Sequence, residues 1–134
     1  MLYNIIQRFH SGWAYLTLLL GVLFLVIVIF YAFNKRERDR FIKKLSLITV
    51  IIFHVQLLTG AALYFLSPKV EDLIRPYYLE HPVMMLTSVL LITVSYAKIK
   101  RERIIGLGVV IPVVVAILCM LLMIPWEAWA SWAR

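Results

Sequence analysis

Between Leu45 and Ser67 the chain reads LSLITVIIFHVQLLTGAALYFLS, a run without one acid, lysine or arginine. A helix needs about 20 predominantly apolar residues to cross the hydrocarbon core of a bilayer, so this stretch is long enough to span. Near its middle stands His54. An ionisable ring at that depth is costly and is retained where it has a partner or a task. The other two histidines of the chain, His10 and His81, stand near the starts of two further apolar stretches.

The rest of the composition points the same way. Of 134 residues 63% are hydrophobic, with a mean hydropathy of +0.92. That is far outside the soluble range and leaves room for about four spans. The expectation is a single transmembrane domain over residues 1–134, with no loop long enough to house a catalytic domain. The formal net charge of +7 is assigned to span flanks rather than to nucleic-acid binding. The one cysteine, Cys119, lies in the last apolar stretch and supports neither a disulfide nor a thiolate cluster. The start, MLYNIIQRFHSGWAYL, has no basic region ahead of its apolar run, so the first span is expected to be retained.

The spans are expected at about 10–33, 45–66, 81–97 and 104–123, the first with a mixed interfacial lead-in from about Tyr3. Pro68 closes the second, Pro82 suits the first turn of the third, and Pro112 marks a kink in the fourth. The first loop, NKRERDRFIKK, carries six basic and two acidic residues, and the third, KIKRER, four and one. The second, PKVEDLIRPYYLE, carries two basic and three acidic residues. Its Leu73, Ile74, Tyr77 and Tyr78 suit a short turn on the bilayer surface. The positive-inside rule then puts loops one and three in the cytoplasm and both termini outside. Trp126, Trp129 and Trp132 suit the outer interface. The expected fold is all-α: an integral membrane four-helix up-down bundle, N-out and C-out.

At ~1.5 Å per residue, His54 lies ~15 Å from the cytoplasmic edge, His81 ~26 Å and His10 ~37 Å. Neutral imidazole is a good ligand for haem iron, copper and zinc. His10 with His81, or His81 with His54, suits the two axial positions of one haem. Small residues leave room for a macrocycle: Ser11, Gly12 and Ala14, then Gly60, Ala61 and Ala62, then Ser88. Such residues equally serve close helix packing. On the second span, Gln56 and Thr59 are placed to bond across helices. Met84 and Met85, one turn inside His81, make a copper site with His10 and His81 the alternative, and Glu80 is placed to support a ligated His81. There is no nucleophile–base arrangement, paired intramembrane carboxylate or phosphate loop, so no catalytic residue is assigned.

Three motifs carry a family likeness: FHSGWAYL around His10, FHVQLLTGAALYFLSP around His54, and EHPVMM around His81. With the closing Ile124-Pro125-Trp126, they resemble a group of small four-helix membrane proteins of Bacteroidota, often labelled cytochrome b or left uncharacterised, a resemblance that implies a bacterial inner membrane. The resemblance covers most of the chain and implies haem b held by a pair drawn from His10, His54 and His81. Three histidines, none of them in the fourth span, limit the expectation to one haem. The implied function is electron transfer, to or from quinone or a redox partner, in a homo-oligomer or a larger membrane complex. The alternatives are an outer-face copper or zinc protein and a non-catalytic accessory subunit.

Overall fold

The computed structural model describes residues 1–67, 79–124 and 126. Within them the chain is all-helical: α1 (Leu2–Phe33), α2 (Arg40–Leu66), α3 (Glu80–Arg101) and α4 (Leu107–Met123). The first three are each long and apolar enough to cross a membrane, and α4 is an apolar helix of 17 residues. The surface turn expected around Leu73 to Tyr78, and the tail tryptophans Trp129 and Trp132, lie outside the described residues.

The helices end where the apolar runs end, at Phe33, Leu66 and Met123, but their basic ends run further. The start of α2 is set by Asp39, whose carboxylate accepts the Ile42 backbone N–H at 2.9 Å and the Tyr31 hydroxyl at 2.7 Å. An N-cap carboxylate satisfies a backbone donor that the helix itself leaves unpaired, so Arg40, Lys43 and Lys44 are helical. At the end of α3, Lys98, Lys100 and Arg101 form the last turn, where cations meet the negative end of the helix dipole. The lead-in before His10 is likewise helical from Leu2.

Two short connections meet at this basic end. The Arg38 N–H donates to Arg103 O at 2.8 Å and the Ile105 N–H to Arg36 O at 3.1 Å. Glu37 and Ile104 pair as an isolated antiparallel bridge, and the Arg103 guanidinium meets the Glu37 carboxylate at 2.8 Å. Ile104 and Ile105 are thereby drawn into pairing with the first loop, and α4 begins only at Leu107. Lys35, at φ 47°, takes the left-handed position that closes α1. The N–H groups of Lys35 and Arg36 then reach Ala32 O and Tyr31 O, a helix stop that glycine usually fills.

Each helix packs on two others: α1 on α2 and α4, and α3 on α2 and α4. Phe24, Val28, Phe53, Ile92, Val113 and Ile117 fill the middle. A Cβ on Gly21 would lie 2.7 Å from Ile117 Cδ1 and 3.1 Å from Phe53 Cζ, so glycine lets α1, α2 and α4 close there. The α3–α4 seam is fixed by two buried hydroxyls, Ser88 donating to Ala116 O at 2.9 Å and Ser95 to Val109 O at 3.0 Å. The second bond falls beside Pro112, which has no N–H to return to the preceding turn. The outward faces are apolar, including Leu19, Val26, Leu58, Phe65, Leu90, Ile111 and Leu122. A bundle standing in water would carry charge on those faces; this one is compatible with a lipid bilayer.

Candidate functional site

At the end of the bundle away from the two short connections, a cavity of about 480 Å³ opens among the helices. Helical spacing brings His10, Ala14 and Thr17 of α1 onto one wall and His81, Met85 and Ser88 of α3 onto another. Gln56, Gly60 and Ala61 of α2 complete the wall beside His10. His10 and His81 thus line one cavity; His54 does not.

The His10 ring lies against Gly60, where an added Cβ would be 3.0 Å from His10 Cε1. His10 Nδ1 is 3.0 Å from Thr59 Oγ1, and that hydroxyl donates its hydrogen to Gln56 O at 3.0 Å. With the hydroxyl hydrogen committed, Thr59 can only accept, so Nδ1 of His10 carries the proton and Nε2 keeps its lone pair. The Gln56 side-chain amide donates to that lone pair at the long distance of 3.3 Å. Its own oxygen, Oε1, is buried and makes no hydrogen bond, an unusual state for a buried polar atom.

His81 is tied in the same sense. Its Nδ1 is 2.9 Å from Met123 O, and a carbonyl only accepts, so Nδ1–H donates and Nε2 is again the bare nitrogen of the neutral ring. Met123 closes α4, where the last carbonyls have no partner within the helix. The bond therefore both caps α4 and fixes the imidazole. It also fills on His81 the supporting place for which Glu80 was a candidate. His54 donates Nδ1–H to Val50 O, one turn back on its own helix at 2.8 Å, and its ring is exposed on the outer side of α2.

Of the other candidates, Met85 lines the cavity and packs against the core, whereas Met84 does not line it. Among the small residues, Ser11, Ala14, Gly60, Ala61 and Ser88 line it, and Gly12 and Ala62 do not. Among the described residues no three His, Cys, Asp or Glu side chains converge; the imidazole and thioether groups lining this site are His10, His81, Met85 and Met120 of α4. The sequence marked Gln56 and Thr59 only as polar residues able to bond across helices. Their grip on His10 depends on how α1 settles against α2. The carbonyl of Met123 carried no signal at all.

No family model, curated protein or solved structure matches this chain.

Proposed function

We propose that this chain is an integral membrane haem b protein, an up-down bundle with both termini outside the cytoplasm, in which His10 and His81 bind iron through Nε2. One observation carries the reading. Both rings have Nδ1–H tied to a protein acceptor and both border the same cavity. A ligating histidine needs that arrangement: the outer nitrogen held by a hydrogen bond, the inner one bare. The cavity suits such a group, since its volume lies within the range of cofactor sites and its walls are mostly apolar. Gln56, beside the His10 lone pair, would turn its amide aside on binding.

Haem would supply a one-electron couple; His10 and His81 would hold it, and the mostly apolar walls of the cavity would surround it. Electron exchange with quinone or a protein partner, within a homo-oligomer or a larger inner-membrane complex, is the role this reading assigns. The resemblance to the small Bacteroidota proteins supports it. The test is the absorption spectrum of protein purified after haem-replete expression. A Soret band is expected, lost in His10→Ala and His81→Ala and kept in His54→Ala. A folded, monodisperse protein without that band refutes the proposal.

Met85 favours a second reading. A thioether on the same cavity as two imidazoles is a soft donor set suited to copper(I). Elemental analysis separates this from haem: copper or zinc in place of iron selects it. If neither haem nor metal is found, and alanine at all three histidines changes only assembly, the accessory-subunit reading remains.

A further inference from the structure

At the basic end, far from the histidine cavity, lies a second concavity of about 350 Å³. Among the described residues it is lined by Arg38, Lys43, Lys44, Leu47, Tyr96 and Lys100, and by no acid. The carboxylates of this end are engaged elsewhere: Glu37 with Arg103, Glu102 with Lys98, and Asp39 with Tyr31 and the Ile42 N–H. Arg38 is anchored, its guanidinium donating to the carbonyls of Ile99 and Lys100. Lys100 lies over the Tyr96 ring at 5.4 Å from its centroid.

We propose that this groove binds the phosphate of an anionic phospholipid, an assignment independent of the haem reading. Three elements converge on it: the first loop, α2 and α3. Each supplies cations, and Tyr96 adds a hydroxyl. A phosphodiester there gathers charge-assisted hydrogen bonds that none of the neighbouring carboxylates makes. Leu47 is part of the lining, and Ile48 and Ile51 continue outward-facing from it along α2. Phosphate chemistry that runs directly into an exposed apolar stripe fits a headgroup with its acyl chain, and distinguishes a lipid from free phosphate. Basic pockets between helices at the membrane surface recognise such headgroups.

The test is native mass spectrometry of the whole protein with an equal mixture of phosphatidylglycerol and phosphatidylcholine. The wild-type protein is expected to retain phosphatidylglycerol preferentially. Each lysine near such a surface contributes about fivefold in affinity, so Lys43→Gln, Lys44→Gln and Lys100→Gln together lose at least about tenfold even after salt screening. Lys35→Gln, Arg40→Gln and Arg101→Gln, which remove equal charge outside the groove, are expected to lose clearly less than the groove triple. Arginine at the three groove positions is expected to retain binding. If the triple glutamine variant loses its helix content, the single variants carry the test, each reading out its own loss. Equal retention of the two lipids, or an equal loss in the control triple, overturns the proposal. Displacement of the lipid by excess inorganic phosphate that then occupies the groove also overturns it, by assigning the site to the free anion.

Discussion

Replacing Thr59 with valine removes a hydroxyl and keeps the branched shape of the side chain. In the wild-type protein that hydroxyl is the acceptor for His10 Nδ1–H at 3.0 Å. Without it, a buried N–H left unpaired would cost about 1–3 kcal/mol. The structure offers an escape. If the imidazole proton moves to Nε2 and the Gln56 amide turns over, Nε2–H donates to Gln56 Oε1, the atom that otherwise has no partner. The stability loss should therefore fall near the low end, about 1 kcal/mol, or a few degrees in Tm. Cofactor affinity should suffer far more, because the escape places a proton on the nitrogen that must ligate. Loss of a hydrogen bond that orients a ligating histidine typically costs about 10–100-fold in affinity. Haem titration of apo-protein in detergent, followed at the Soret band, measures this, with thermal melting in parallel. Thr59→Ser restores the hydroxyl and should restore both readings. Unchanged affinity in Thr59→Val, with a lowered Tm, would refute the reasoning by showing that the Thr59–His10 bond is structural only.

Other substitutions separate the parts of the molecule. His54→Leu puts an apolar side chain on an outward face and should leave cofactor content unchanged, with Tm equal or slightly higher; a lost Soret band would give His54 the ligand role. Ser88→Ala and Ser95→Ala each remove one bond across the α3–α4 seam and should cost about 0.6 kcal/mol, up to about 2 kcal/mol, in reversible detergent denaturation. Asp39→Ala should cost about 1 kcal/mol through loss of the α2 cap. The Ile42 N–H, then the Tyr31 hydroxyl, hold the Asp39 carboxyl below its ordinary value. Its contribution is therefore complete above the ordinary carboxylate pKa and fades as pH falls through the lowered one. Asp39→Asn should flatten that acid limb of a Tm–pH profile. Lys35→Gly should raise stability by up to about 1 kcal/mol, since glycine adopts the left-handed backbone of that position without strain.

Much of the helix content was legible because an apolar run announces its own length. The charged ends were harder to read. Lysine and arginine suit a loop and a helix turn equally, so Arg40 to Lys44 carried no boundary signal of their own. The usable cue was Asp39, an N-cap residue directly ahead of the α2 sequence. The late start of α4 was hidden for another reason: Ile104 and Ile105 are held by Arg36 and Glu37, across a sequence separation that no local pattern crosses. At the site, depth along the helices grouped His10 and His81 toward one end. Only the rotation of each helix could place them on one cavity and His54 outside it. A period of 3.6 residues fixes which residues share a face, not which way that face turns. The tautomer of His10 was further out of reach, because it depends on Thr59 and Gln56 of another helix.

The small residues show how this packing divides the bundle. Where a small residue faces another helix, the backbones approach and its hydroxyl can reach across, as Ser88 and Ser95 donate to carbonyls of α4. Along the cavity, Ser11, Ala14, Gly60 and Ala61 serve the opposite purpose. Larger side chains there would fill the space that His10 and His81 border. The core supports this division: Phe24, Phe53, Ile92 and Ile117 fix the helices at mid-height, and the paired loops pin the basic end. The helices can therefore stand apart at the histidine end without losing register. Gly60 is the position where the two uses meet, since it admits the His10 ring against the α2 backbone. A side chain there would push imidazole toward the cavity, while one at Ala61 would take the cavity's own volume. Bulk added at these adjacent positions should accordingly act on different things: ligand orientation at Gly60, and the size of the group accepted at Ala61.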